Sequence, residues 1–162
     1  MTAEQFSMFE SESSAKKPAG GSSITINKTI NGKQQNVFDH WLIPVFVGEW
    51  MFGPRVQAEG IISLENTVRR NGEFDYRVKR QGKEISHSGT YLELAIPNTL
   101  VFSWNESSTP DVTSQVSVQF SEAGDKTKLK LTVKLPAELD AQRDAIKDTW
   151  TARCKALAEK FK

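Results

Sequence analysis

The sequence predicts an α+β domain. An antiparallel sheet of about six or seven strands is dry on one face, a long C-terminal helix covers that face, and two short helices follow the first strand. Three observations carry this. Near the C-terminus Val116, Val118 and Phe120 alternate with Gln115, Ser117 and Gln119, and Leu129, Leu131, Val133 and Leu135 alternate with Lys128, Lys130, Thr132 and Lys134. Period-two alternation of this kind marks antiparallel strands covered on one side only. Beyond Pro136, residues Ile146, Trp150, Cys154, Leu157 and Phe161 step by 4, 4, 3 and 4, drawing one stripe along a helix. A one-sided sheet has to cover its dry face, and this helix, expected from about Glu138 to Phe161, is the long amphipathic segment available.

The remaining elements follow in chain order. Glu10 to Ser23 holds serines, glycines, charges and one proline but no large apolar residue, so it cannot bury enough surface to offset the entropy of ordering it. Residues 1–21 are therefore expected to be a flexible tail with Phe6, Met8 and Phe9 as apolar anchors, and residues 22–162 a single domain. From Ser22, Ile24, Ile26 and Ile30 share one strand parity, and Asn31-Gly32 ends the strand. Gln34, Val37, Phe38, Trp41 and Leu42 line one helical face within Lys33–Leu42. Pro44 breaks that helix and opens a second over about Val45–Trp50, where its missing N–H is harmless. Met51 to Pro54 makes a turn with large apolar residues.

Four or five antiparallel strands are expected next, among them Gly60–Leu64, one carrying Phe74, Tyr76 and Val78, a long one over Ile85–Ile96 with Leu92, Leu94 and Ile96 on one face, and one carrying Leu100, Phe102 and Trp104. Asn71-Gly72 and Gln81-Gly82 sit where hairpin turns belong. Asn105 to Asp111 reads as a polar loop, and the final hairpin turns at Ala123-Gly124-Asp125. In the last helix Glu138, Asp140, Asp144 and Asp148 lie early and Arg153, Lys155, Lys160 and Lys162 late, as the helix dipole favours.

The chain has 162 residues, enough for one core that buries roughly 70% of the unfolded surface. Its 21 Lys and Arg against 20 Asp and Glu leave a net charge of +1, without the basic excess of a general nucleic-acid binder. No apolar run approaches the ~18 residues of a membrane span, and Met1-Thr2-Ala3-Glu4-Gln5-Phe6 lacks the basic and apolar blocks of a secretory leader. Cys154 is the single cysteine, which excludes an internal disulfide and a multi-cysteine zinc site. These features predict a soluble cytoplasmic protein with no membrane span and no nucleic-acid partner.

Val37-Phe38 on the first helix and Trp50-Met51-Phe52-Gly53-Pro54 after the second are followed by the turn Asn71-Gly72-Glu73-Phe74, by Leu100-Val101-Phe102-Ser103-Trp104 and by Thr149-Trp150. In this order they resemble the family named after the activator of the heat-shock protein 90 ATPase, within the START-like (SRPBCC, polyketide cyclase and lipid transport) superfamily of helix-grip domains. The resemblance covers about Ile24 to Phe161. Two positions depart from it: Asn71 and Thr149 stand where the family usually has glycine. Asn tolerates left-handed geometry, whereas a side chain at 149 narrows any space between helix and sheet.

The resemblance implies a curved sheet gripping the last helix, a cavity between them in many relatives, and apolar ligands; some superfamily members act as cyclases. The candidate lining here is Phe74, Tyr76, Phe102, Trp104, Val116, Val118, Leu129, Leu131, Val133, Trp150, Cys154 and Leu157. Close packing into an ordinary core is the competing reading of the same residues.

Other chemistry is poorly supported. Cys154 would need a base to act as nucleophile, and the spacing of His40 and His87 forces neither onto it. Two isolated histidines do not make a metal site. Gly20-Gly21 lacks the strand-to-helix context of a phosphate loop, so no cofactor is expected. Arg69-Arg70 and the Lys128, Lys130, Lys134 row read as solvated charge. Three function classes remain. They are a binding module for a small apolar ligand, a chaperone-accessory or protein-interaction domain, and a cyclase-type enzyme. The last would draw its polar group from Tyr76, His87, Ser88 or Thr90. The tail expectation has a direct check: deleting residues 1–21 should leave the melting temperature within about 1–2 °C, since little buried area goes with them. A drop of several degrees would show that Phe6 and Phe9 dock.

Overall fold

The computed structural model describes residues 21–53, 56 and 59–162. The predicted tail, apart from Gly21, and Pro54 of the predicted turn lie outside the described residues. Alternating segments become strands β1 (Ser22–Ile30), β2 (Glu59–Asn66), β3 (Glu73–Arg80), β4 (Lys83–Ala95), β5 (Thr99–Glu106), β6 (Thr113–Ala123) and β7 (Lys126–Leu135). The described residues form one curved antiparallel sheet in the order β1-β7-β6-β5-β4-β3-β2. Successive strands are neighbours from β2 to β7, and β1 closes on β7 in the register Ile24↔Val133 and Ile26↔Leu131. That register puts the isoleucines and the β7 leucines on the same dry face.

Two short helices, α1 (Gln34–Asp39) and α2 (Pro44–Trp50), follow β1, and Pro44 stands at the start of α2 as its fixed φ allows. Val37 and Phe38 of α1 are buried, and Phe38 packs on Phe120 of β6 with ring centroids 4.8 Å apart. Gln34 fixes the other end of α1, its amide donating to the Pro97 and Phe120 carbonyls at 2.9 and 3.0 Å. Trp50 closes α2 in the core, where its indole N–H donates to the His40 carbonyl at 2.8 Å and its ring meets Trp41 edge-on. Phe52 is buried beside it.

Three features differ from the sequence reading. The long helix, α3 (Arg143–Glu159), starts later than expected, because Ala137–Gln142 forms a tighter 3-10 segment. Leu139 N–H donates to the Pro136 carbonyl at 3.0 Å in that segment, and Leu139 packs against the core edge. In β4, pairing with β5 shifts between Tyr91 and Glu93. Such a bulge reverses the faces of the residues beyond it. His87 and Tyr91 point inward before it and Leu94 after it, while Leu92 and Ile96, expected on the core face, are exposed. Finally, β5 continues through Glu106, which the sequence reading placed in a loop.

Two backbone positions are set by local sterics. Asn71 turns at φ 68°, the left-handed conformation that Asn tolerates. A Cβ at Gly89, inside β4, would overlap the Ser103 carbonyl of β5 and the Phe74 ring. Only glycine lets the strand and that ring approach so closely. Truncating Trp50 to Ala should cost roughly 3–5 kcal/mol, as for other large core aromatics. Chemical denaturation checks this, and a loss under about 1 kcal/mol, the size usual at surfaces, would place Trp50 outside the core.

Candidate functional site

One end of the sheet gathers charged groups on its covered face. The β2–β3 register sets Glu59 opposite Arg80, and the β4–β5 register sets His87 opposite Glu106. Arg80 donates to one Glu59 oxygen from Nε at 3.0 Å and from Nη2 at 2.6 Å, and reaches across β4 to Glu106 at 3.4 Å. Glu106 also accepts from the Ser108 hydroxyl at 2.6 Å. The Glu59 and His87 side chains are fully buried, while those of Arg80 and Glu106 are about three-quarters covered.

His87 lies between the two carboxylates, its ring nitrogens 3.5 Å from Glu59 and 3.6 Å from Glu106. Neither contact has hydrogen-bond geometry, so both ring nitrogens are buried without a hydrogen-bond partner, as is Glu59 Oε1, the oxygen that Arg80 does not bond. The imidazole is stacked between Phe52 and Trp104, at centroid distances of 5.2 and 5.1 Å. Burial lowers its pKa, and the Arg153 charge adds to this; the two carboxylates oppose the shift without reversing it. His87 is therefore neutral at pH 7. Burial raises the Glu59 carboxyl, but His87 and Arg80 outweigh it and hold it below the usual range. Burial raises the Glu106 carboxyl too, and Ser108, His87 and Arg80 outweigh it in turn.

The cover helix adds a second cation. Arg153 follows Trp150 by three residues, which places it on the buried stripe, and it is only 2% exposed. Its Nε donates to the Met51 carbonyl at 3.0 Å. Its guanidinium carbon lies 4.5 Å from the Trp150 ring centre, 5.2 Å from that of Trp104 and 5.7 Å from that of Phe52. Burial lowers its pKa to about 10, which leaves it charged at neutral pH.

Between this cluster and the first turns of α3 lies a cavity of ≈ 280 Å³. Trp104, Val112, Leu139, Ala145, Ile146 and Trp150 supply its apolar wall, and Arg153, Arg80 and Glu106 its charged end. Ser114, Gln142 and Thr149 complete the lining with Ser108 and Thr109. Thr149, expected from the sequence to narrow any such space, does border it.

Of the residues expected to line a cavity, Trp104 and Trp150 border this one. Phe74, Tyr76 and Phe102, with Trp104, surround a separate gap of only ≈ 10 Å³. Val116, Val118, Leu129, Leu131, Val133, Cys154 and Leu157 are buried in the core. Burial pushes the Cys154 thiol up to about 12, so it carries no thiolate at neutral pH. Tyr76, raised by burial and then by Tyr91, meets that residue's hydroxyl at 3.4 Å. Ser88 is half-buried, Thr90 N–H donates to the Ser103 hydroxyl at 2.9 Å, and neither residue lines the cavity. Among the described residues, no group of three or more His, Cys, Asp or Glu is arranged to hold a metal ion, and no helix is long and apolar enough to cross a membrane. Sequence reasoning missed Glu59, Arg80, Glu106 and Arg153. The available signals were the position of Arg153 on the stripe and charges at strand ends facing one another in the hairpins.

The profile of the family described as "Activator of Hsp90 ATPase homolog 1-like protein" matches residues 31–162. No curated protein sequence matches the chain. Among solved structures it is similar to protein CV1439 from Chromobacterium violaceum, at 15% identity and a TM-score of 0.71 over 86% of this chain and 96% of that one. It is also similar to CalU16 from Micromonospora echinospora, at 24% identity and a TM-score of 0.62 over 84% and 71%. A third is protein NE0264 from Nitrosomonas europaea, at 15% and 0.70 over 85% and 92%. At these identities the likeness is one of fold, the helix-grip arrangement of a curved antiparallel sheet around a C-terminal helix.

The buried cluster links stability to pH. The imidazole of the folded protein has a pKa below that of the unfolded chain, so the unfolded state binds the proton first as pH falls below about 6.5. Stability is then full above that pH and declines below it, by at most about 1.4 kcal/mol per pH unit for one proton. Glu59 and Glu106, held below their ordinary 4.5, act in the same sense at lower pH. The melting temperature should fall between about pH 7.5 and about pH 5.5, and His87→Gln should flatten that slope. An unchanged slope in the variant would remove His87 from the titration.

Proposed function

Because the chain belongs to the Activator of Hsp90 ATPase homolog 1-like family, we propose that it is a binding module for a small, largely apolar ligand held between the sheet and α3. The observation that supports this most is the ≈ 280 Å³ space walled by Trp104, Trp150, Val112, Leu139 and Ile146 at the edge of an otherwise filled core. Apolar walls with a few convergent polar groups are what small-molecule sites usually present.

The same observation ranks the other two readings. A cyclase-type enzyme needs a proton donor or acceptor in contact with its ligand. His87 is fully buried and does not line the cavity, and Glu106, which does, already accepts from Ser108 and Arg80. A chaperone-accessory role, which the family description suggests, requires no internal space at all. The cavity therefore favours ligand binding over both.

Calorimetry with the neutral probe 2-acetylnaphthalene tests this. The parent protein should bind with a negative heat-capacity change, as burial of apolar surface requires. Thr149→Phe puts a ring into the cavity, so it should weaken binding at least about tenfold while shifting the melting temperature by no more than about 2 °C, because the ring enters open space rather than packed core. No binding by the parent, or undiminished binding by the variant, would contradict the reading.

A further inference from the structure

Resting on that reading and going beyond it, we infer that the ligand is a small aromatic acid whose carboxylate is taken by Arg153. A guanidinium carries five N–H donors. Among the described residues Arg153 uses one of them, its Nε, on the Met51 carbonyl, and it makes no salt bridge. Its remaining donors lie at a 2% exposed position beside the cavity that the residue lines.

The nearby carboxylates act on Arg153 through space and do not contact it. Both Glu59 and Glu106 contact Arg80, and Glu106 takes a second bond from Ser108. The charges of two arginines and two glutamates cancel in number but not in contact. Arg80 touches both anions, whereas Arg153 feels them through space and touches neither. A buried cation with no counter-ion in contact is incompletely compensated, and an anion from outside completes it. A carboxylate suits it best, because its two oxygens match two parallel N–H groups of the planar fork.

The walls specify the rest of the molecule. Trp150 and Trp104 lie next to each other, with centroids 5.2 Å apart, and present their rings to the guanidinium at 4.5 and 5.2 Å from its carbon, and Ile146 and Leu139 continue the apolar surface away from it. A flat ring meets these faces well. At ≈ 280 Å³ the space lies near the lower end of ligand pockets, which run from roughly 300 to 1,000 Å³. It accommodates a one- or two-ring acid and not a long acyl chain.

Three probes of nearly one shape separate the possibilities when titrated into the full chain at about pH 7.5 by calorimetry. They are naphthalene-2-carboxylate, neutral 2-acetylnaphthalene and cationic 2-naphthylmethylammonium. The carboxylate should bind at least about tenfold tighter than the ketone, and the cation weakest. Arg153→Gln should abolish that preference while holding the ketone affinity within about threefold. Arg153→Lys keeps the charge without the fork, so it should lose part of the preference, on the order of three- to tenfold; it carries the test if the glutamine variant does not fold. Equal binding of ketone and carboxylate by the parent would overturn the acid assignment and leave the pocket reading standing. A preference that survives both substitutions would overturn the role of Arg153. Failure of all three probes to bind would overturn the assignment together with the pocket itself.

Discussion

A guanidinium buried in the stripe of a cover helix is the constraint around which this end of the molecule is arranged. Removing a cation from water is expensive unless dipoles, π faces or counter-charges replace the solvent. Here Arg153 leans on the Met51 carbonyl and on the rings of Trp150, Trp104 and Phe52. Each of these is held by something else. Met51 follows α2, whose Trp50 is anchored in the core. Phe52 and Trp104 stack on the two sides of His87. The charge on α3 thus couples the helix, the short helices and the sheet.

Further consequences follow on the sheet. A neutral imidazole between two carboxylates would leave both acids costly to bury, and Arg80 offsets this by contacting both from the end of β3. That fork contacts both acids and leaves the remaining donors of Arg153 to the cavity. Apolar packing and charge placement then act together: the centre of the sheet is filled by aromatic contacts such as Phe74 on Phe102 and Trp104, and the open volume is displaced to the charged end beneath Leu139, Ile146 and Thr149. Side chains that must keep polar atoms oriented pack less freely than a purely apolar core.

The architecture was legible where residues alternate without interruption. Over Val116–Phe120 of β6 and Leu129–Leu135 of β7 every second residue is apolar, and the cross-strand partners Val116↔Val133, Val118↔Leu131 and Phe120↔Leu129 lie on that face. Asn71 was legible too, since its side chain tolerates the φ of 68° that the turn demands. The start of α3 was not. Ala137–Gln142 is built of residues that suit an α-helix, and only the packing of Leu139 against the core distinguishes the tighter turn. The bulge in β4 was invisible because a run such as Tyr91-Leu92-Glu93-Leu94 supports either parity. The polar cluster was hidden for a different reason. Arg153 fits the dipole preference for late cations as well as it fits the buried stripe, and a long side chain can satisfy both descriptions. Glu59 and Glu106 sit at strand ends, where a sequence reading assigns solvated loop, and only the register shows that they face Arg80 and His87.

The four tryptophans offer the most direct test that the open volume is a ligand site. Trp104 and Trp150 line it, whereas Trp41 and Trp50 lie in the packed core, and Trp50 is tied to the His40 carbonyl. Nitrogen-15 correlation spectra of the indole N–H groups, recorded with and without saturating 2-acetylnaphthalene, report all four at once. The signals of Trp104 and Trp150 should move while those of Trp41 and Trp50 stay in place. Movement of Trp41 and Trp50 instead, or of none of the four, would contradict a ligand site at the charged end of the sheet.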